Sequence, residues 1–131
     1  MVTPTISVFN VQHLPDFHKE WVELGLIEAD DMIPHLLKQP EIYDIRILPS
    51  EIKQKIETRY REHLKWLDEF DESTLVKLPM VRNEFGQCID FLWSEDRTSL
   101  LPDFKRNCEQ LDRMRKESTL DVFPELKLLL G

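Results

Sequence analysis

The stretch Thr3–Gly25, TPTISVFNVQHLPDFHKEWVELG, sets the expected fold of this chain. Its first part, Thr3–Val11, alternates and is rich in β-branched and aromatic side chains, which predicts a strand. Pro15 then suits the first turn of a helix, and Asp16 suits the positive end of that helix. Gly25 suits the left-handed position at which helices end. The sequence therefore predicts a β–α unit at the start of the chain.

The predicted strand Thr3–Val11 has no earlier strand in the sequence with which to pair. A strand edge carries N–H and C=O groups that need partners. Met32–Leu37 is apolar enough for a second short strand, but Pro34 favours an edge or an irregular start. The sequence leaves open whether that segment is a strand.

The strongest helical pattern runs from Ser50 to Phe70. One apolar stripe follows it at helical spacing, formed by Ile52, Ile56, Tyr60, Leu64 and Leu67. A second clear helix is predicted from Pro102 to about Glu117. Between them, Asn83–Gly86 is typical of a turn and Phe91–Trp93 of the beginning of a short helix. The apolar tail Leu126–Leu130 is expected to pack on the core.

Composition restricts the class of protein. The chain has 131 residues, a formal net charge of −8 and a hydrophobic fraction of 41%, as expected for one globular domain or part of one. An acidic balance disfavours a nucleic-acid surface, and no apolar run reaches the length of a membrane span. With two cysteines and no signal-peptide pattern, we expect a cytoplasmic protein with reduced thiols.

The sequence does not contain a recognisable set of catalytic or metal-binding residues. It has no G-x-S-x-G motif, no phosphate-binding loop and only three glycines. His13 and His18 are five positions apart, whereas zinc-binding histidines on a helix usually stand four apart. His35 and His63 are scattered. We predict no metal site and no catalytic residue from these patterns.

Three polar residues lie where the predicted strand passes into the first helix: Asn10, Gln12 and His13. In parallel α/β folds, ligands bind at the carboxyl ends of strands. These side chains could therefore line a pocket. The alternative is a polar loop that caps the helix and faces water, and the residues alone leave both open.

Several short motifs occur in a distinctive order. They are Phe9–Pro15 (FNVQHLP), Glu23–Ile27 (ELGLI), Tyr43–Pro49 (YDIRILP), Leu111–Arg115 (LDRMR) and Phe123–Leu126 (FPEL). Together they resemble the C-terminal part of radical S-adenosylmethionine (radical SAM) proteins that carry a twitch-type segment near their N-terminus. The resemblance covers most of the chain and is weakest over Asp68–Cys88.

The resemblance implies an α/β, helix-rich fold, with late β–α units of a partial (β/α) barrel followed by C-terminal helices. Residues 1–131 would form a single incomplete domain, barrel-like over 1–48 and mainly helical over 49–131. It also implies a parent enzyme in which a C-x-x-x-C-x-x-C loop holds a [4Fe–4S] cluster that cleaves S-adenosylmethionine. Cys88 and Cys108 are too few and too far apart for that loop.

On this resemblance we expect a truncated or split radical SAM protein that binds no cofactor and is inactive alone. Asn10, Gln12 and His13 would lie at the barrel mouth, near cofactor or substrate. The missing neighbour of the first strand would lie outside this chain. The partner would be an N-terminal half on another chain, or a second copy joined through an exposed apolar barrel edge. The rival hypothesis is a free-standing acidic protein-binding module without enzymatic activity.

Overall fold

The computed structural model describes residues 3–115, 119 and 123–127, and 66% of these residues are helical. The helices are α1 (Leu14–Glu23), α2 (Ser50–Leu67), α3 (Glu72–Leu75), α4 (Pro79–Trp93) and α5 (Leu101–Arg115), and the strands are β1 (Thr5–Ile6) and β2 (His35–Leu36). Single turns of 3₁₀ helix lie at Ala29–Asp31, Glu41–Tyr43, Ile45–Ile47, Thr98–Leu100 and Pro124–Leu126. The helix-rich α/β class is confirmed.

Strands β1 and β2 form a small parallel sheet in which Thr5 faces His35 and Ile6 faces Leu36. This finding establishes the second strand that the sequence left open. It also corrects the expectation that the neighbour of the first strand lies outside the chain, because β2 pairs with one edge of β1. Parallel strands need a crossover connection, and here α1 supplies it.

The first strand is much shorter than predicted. Only Thr5–Ile6 forms a strand, and Val8–His13 winds into consecutive turns. The backbone N–H groups of Asn10 and Val11 both donate to the carbonyl of Ser7, at 3.2 and 3.0 Å. Local hydrogen bonds of this kind compete with those of a strand ladder. The backbone therefore turns after Ile6, although the side chains that follow favour a strand.

Helix α1 begins and ends where the sequence predicts. Pro15 lies in its first turn, and Gly25 follows it with a φ of 73°. The helical repeat of Phe17, Trp21 and Leu24 predicts that these side chains face the core. In the structure Leu14 and His18 are buried, Phe17 and Trp21 are half-buried and Leu24 is 64% exposed. The face of α1 that packs on the core is therefore the one that carries His18.

Helices α2 and α4 form the main helical pair of the fold. The predicted stripe of α2 is confirmed, with Ile52, Ile56, Tyr60 and Leu67 buried and Leu64 half-buried. The predicted turn at Asn83–Gly86 is wrong, because those residues lie inside α4. Val81, Phe85, Cys88 and Leu92 are buried at helical spacing in α4. Packing of this face against α2 outweighs the turn preference of asparagine and glycine.

The C-terminal residues pack back on the N-terminal unit. Helix α5 is confirmed, with Phe104 and Cys108 buried. The Phe9 ring lies 5.1 Å from the ring of Tyr43, 5.6 Å from that of Phe104 and 5.1 Å from that of Phe123. Leu126 is fully buried, which agrees with the expected docking of the tail as far as that residue, while 117 and 128–130 fall outside the described residues.

The buried apolar side chains form one cluster that draws on both halves of the chain. In the part of the chain that the structure describes, the sheet has two strands, and a partial barrel is not confirmed. Large exposed apolar side chains lie on several elements and include Leu26, Val76 and Met80. None of the described helices is both long and apolar enough to cross a membrane.

Candidate functional site

Asn10 bonds to the backbone of β1. Its Nδ2 donates to the Thr5 carbonyl at 2.8 Å, and its Oδ1 accepts from the Ser7 backbone N–H at 2.8 Å. Both ends of the carboxamide are thus engaged in shaping the turn after the strand. A ligand that used Asn10 would have to compete with these two bonds.

Gln12 and His13 lie at the junction of three parts of the chain. The carbonyl of Gln12 accepts a 3.0 Å hydrogen bond from Arg59 of α2. His13 Nε2 lies 3.0 Å from Glu125 Oε1 in the C-terminal 3₁₀ turn, and the His13 side chain is 52% exposed. Of the three predicted site residues, His13 therefore presents the most accessible polar side chain.

A pair of buried histidines is the main feature that sequence reasoning missed. His18 Nδ1 and His63 Nε2 are 2.8 Å apart, and His18 Nε2 lies 3.0 Å from the carbonyl of Ala29. A carbonyl only accepts, so His18 Nε2 carries the proton and its Nδ1 is an acceptor. His63 must then donate from Nε2. Its Nδ1 therefore carries a lone pair and no proton. The geometry fixes both tautomers when both rings are neutral.

Burial keeps both imidazoles neutral. His18 is fully buried and His63 is 5% exposed. Burial lowers the pKa of His63 to about 3, with further lowering from His18 and Lys19. Burial also lowers the pKa of His18, although its bond to the Ala29 carbonyl partly opposes the change. The His18 ring stacks on Phe85 at a centroid distance of 5.4 Å, and the His63 ring lies tilted against Phe85 at 4.7 Å.

Helical spacing contained a signal for this pair. His18 follows the buried Leu14 by four positions on α1, and His63 follows the buried Tyr60 by three on α2. Each histidine thus lies on the inward face of its helix. The distance between them depends on how α1 packs on α2, which the spacing within either helix cannot give.

A groove of about 270 Å³ opens beside this pair, between α1 and α2. Its lining residues are Pro15, Asp16, Lys19, Arg59, Glu62, His63 and Trp66. Arg59 also bonds to the Gln12 carbonyl, so the groove adjoins the segment that follows β1. The groove carries both charge signs and an aromatic wall, a lining suited to a polar organic group rather than to a simple anion.

A buried ion pair lies inside the YDIRILP motif. Asp44 is fully buried, and both of its carboxylate oxygens accept from Arg46, with the closest contact at 2.8 Å. The Arg46 guanidinium lies over the Phe91 ring at 4.2 Å, a cation–π arrangement. Arg97 donates its backbone N–H to the Arg46 carbonyl at 3.1 Å. This network joins Ile45–Ile47 to the end of α4 and has a structural role.

The two cysteines do not fit an iron–sulfur cluster. Cys88 and Cys108 are buried free thiols on α4 and α5. Burial raises the pKa of Cys88 to about 12 and that of Cys108 to about 11. The C-x-x-x-C-x-x-C loop that the resemblance implies has three closely spaced cysteines, whereas these two lie on different helices. Among the described residues, no group of three or more histidine, cysteine or carboxylate side chains is placed to hold a metal ion.

Comparison with known proteins gives no relative: no family model, no curated protein and no solved structure matches this chain.

Proposed function

We propose that this chain is the C-terminal portion of a radical SAM protein of the twitch type, and that it does not catalyse a reaction alone. It would complete an enzyme whose cluster-binding half lies on another polypeptide, or be the remnant of such an enzyme. The observation that supports this most is the β1–α1–β2 unit. Two parallel strands joined by a helix are the repeating element of a (β/α) barrel.

The positions of the motifs agree with this proposal. FNVQHLP spans the passage from β1 into α1, and YDIRILP carries the buried Asp44–Arg46 pair ahead of α2. FPEL brings Glu125 to His13 at the carboxyl end of β1. These three motifs therefore lie where elements of the fold meet, whereas LDRMR lies inside α5.

The site that this chain would contribute is the surface around His13. In a barrel, cofactor and substrate bind at the carboxyl ends of the strands. Gln12 and His13 belong to the turns that connect β1 to α1, and Arg59 of the groove between α1 and α2 bonds to the Gln12 carbonyl. We propose that they face substrate or cofactor in the completed enzyme, whereas the cluster is held by the other half, since Cys88 and Cys108 do not fit it.

Anaerobic iron–sulfur reconstitution of the purified chain tests the proposal. We expect no cluster absorbance and no heat on titration with S-adenosylmethionine. A stoichiometric cluster with cofactor binding would contradict it. The matched control is the double variant Cys88→Ser, Cys108→Ser, which should behave like the parent chain. Loss of a cluster in that variant would identify these two thiols as ligands.

A second candidate is the free-standing protein-binding module, favoured by one observation. A single core draws on β1, all the long helices and Leu126, so the chain closes a core without added sequence. Sedimentation and dye binding separate the two candidates. A compact monomer that binds no apolar dye supports the module, whereas loose self-association with dye binding supports an incomplete barrel.

A further inference from the structure

His63 presents a hydrogen-bond acceptor to the groove between α1 and α2. The residue is 5% exposed and lines the groove. Its Nε2 is engaged with His18, and no residue that the structure describes bonds to its Nδ1. Among the same residues, Glu125 Oε1 is the side-chain oxygen or nitrogen that is fully enclosed without a hydrogen bond, so Nδ1 of His63 is reached from the groove. The groove therefore contains an acceptor whose direction is fixed by a bond inside the core.

The charge near His63 decides which kind of donor suits that acceptor. Burial lowers the pKa of His63 most, followed by His18 and by the ammonium group of Lys19. A cationic donor placed beside Nδ1 would be repelled by the same ammonium group. A hydroxyl group carries no charge and donates to a neutral imidazole nitrogen. The acceptor therefore suits a ligand hydroxyl better than a ligand ammonium group.

Two carboxylates add further acceptors to the groove. Asp16 on α1 and Glu62 on α2 both line it, and both are exposed. Neither forms an ion pair with any residue in the described part of the chain. An ionised carboxylate only accepts hydrogen bonds, through two oxygens. Together with Nδ1 of His63, these groups favour a ligand that carries several hydroxyl groups.

Two cations and an aromatic ring complete the lining of the groove. Lys19 Nζ lies 5.9 Å from the centroid of the Trp66 ring. Arg59 donates from Nη1 to the Gln12 carbonyl at 3.0 Å, and its guanidinium has further N–H groups with which to bind a ligand. Cations of this kind form charge-assisted hydrogen bonds with a carboxylate. The Trp66 ring offers an apolar surface to the carbon skeleton of the same ligand.

We propose that this groove binds a small carboxylate that carries several hydroxyl groups, the chemical class of the sugar acids. One hydroxyl donates to Nδ1 of His63, and further hydroxyls donate to Asp16 and Glu62. The carboxylate of the ligand binds to Lys19 and Arg59. The groove volume of about 270 Å³ suits a small ligand of this kind rather than a large one.

Other classes of ligand match the lining less well. A simple anion would leave Nδ1 of His63 and both carboxylates without donors. An amino acid would bring an ammonium group toward His63, which Lys19 disfavours. A neutral sugar would leave Lys19 and Arg59 without an anion. That the ligand is the substrate of a completed enzyme rests on the proposed function, whereas its binding depends on the groove alone.

NMR titration of the full chain with D-glucuronate tests the proposal. The backbone amide resonances of α1 and α2 are followed together with the ring-nitrogen resonance of His63 Nδ1, which should move upfield as a hydroxyl donates to it. Three matched compounds are titrated in the same way. D-Glucose lacks the carboxylate, hexanoate lacks the hydroxyls, and alanine has an ammonium group in their place. Each should bind at least tenfold more weakly than D-glucuronate.

Variants of the charged lining residues locate the site. Lys19→Met removes a cation, and Glu62→Gln replaces an anionic acceptor by an amide of the same shape. Each should weaken binding of D-glucuronate about tenfold, as the loss of a charge-assisted hydrogen bond does. Lys105→Met changes an exposed lysine of α5 outside the groove, and this control should bind D-glucuronate as the parent chain does.

Three results overturn the proposal. The first is the absence of any shift with D-glucuronate, and the second is binding that leaves the Nδ1 resonance of His63 unchanged. The third is equal binding of hexanoate, or equal weakening by Lys105→Met, because either would show an unspecific effect of charge. No cluster and no S-adenosylmethionine enter this titration. Failure of the sugar acid to bind therefore leaves the proposed function unchanged, and a cluster on the isolated chain would contradict that function alone.

Discussion

His18 Nδ1 accepts a 2.8 Å hydrogen bond from His63 Nε2, and this single contact ties α1 to α2 inside the core. Because His18 also donates to the Ala29 carbonyl, two successive hydrogen bonds connect α2 to α1 and α1 to the 3₁₀ turn that precedes β2. The hydrogen bond between the rings requires a neutral His18, since a second proton on that ring would occupy its acceptor, whereas His63 donates from Nε2 with or without a second proton.

Acid should destabilise the protein through this pair. In the unfolded chain each histidine takes up a proton near pH 6.5, whereas the pKa of His63 in the folded chain is about 3. Stability is therefore fully present above pH 6.5 and is lost as the pH falls toward 3. At pH 5 the loss from His63 alone should be about 2 kcal/mol, and His18 adds to it in the same direction.

Urea unfolding at pH 7.5 and pH 5.0 measures this loss. His63→Gln can still donate to His18 and does not titrate, so its stability should fall less between the two pH values than that of the parent chain. His35→Gln, at an exposed position of β2, is the control and should fall as the parent does. Equal losses in His63→Gln and the parent chain would contradict the assignment.

Breaking the Asp44–Arg46 ion pair should lower the free energy of unfolding far more than breaking an ion pair on the surface. Asp44→Asn removes the closest counter-charge of the buried Arg46 guanidinium and leaves only the exposed Glu95, 3.7 Å away, with an expected loss of about 3 kcal/mol. Arg61→Gln removes the exposed pair with Glu57, whose atoms lie 2.9 Å apart, and should cost about 0.5 kcal/mol or less. Denaturant unfolding of both variants at pH 7 gives the comparison, and similar losses would show that the buried network is dispensable.

Removing the ring of Phe85, which packs around the two buried histidines, should lower the free energy of unfolding strongly. It is fully buried and contacts His18, His63 and Tyr60. Phe85→Ala should lose about 3–5 kcal/mol. Met80→Ala, on the same helix at 60% exposure, should change stability by about 0.5 kcal/mol or less. A small loss at Phe85 would mean that α4 does not pack against α1 and α2 as described.

Substitution by alanine at Gly25 and at Gly86 should change the free energy of unfolding in opposite directions. Gly25 has a φ of 73° and open space around an added Cβ, so strain alone should cost Gly25→Ala about 1 kcal/mol. Gly86 lies inside α4 with similar open space, so Gly86→Ala should stabilise by about 0.5–1 kcal/mol through helix propensity. Thermal unfolding distinguishes these outcomes. A stabilising change at Gly25 would place that residue outside the left-handed region.

Parts of the fold followed from local pattern. Pro15 and Gly25 bound α1 as predicted, and the apolar stripe of α2 is the buried one, because caps and helical spacing act within a single element. The turn predicted at Asn83–Gly86 failed because the apolar face of α4 has a partner in α2. The strand predicted over Thr3–Val11 shrank to Thr5–Ile6 because local bonds to Ser7 and Asn10 replaced the ladder.

The candidate site was predicted only in part. Asn10, Gln12 and His13 lie in the turns between β1 and α1, and their role as pocket residues stays a prediction. The bonds of Asn10 to Thr5 and Ser7 are local, whereas the approach of Glu125 to His13 depended on where the C-terminal turn comes to lie. The same holds for the approach of His63 to His18.

The sequence by itself determined the limits of α1, the inward face of α2 and the absence of a C-x-x-x-C-x-x-C loop, because each of these depends on residues close together in the chain. The tertiary structure alone decided that β2 pairs with β1, that two histidines share a hydrogen bond and that Glu125 reaches His13. These contacts join residues through packing and hydrogen bonds, whose geometry is fixed only when the whole core assembles.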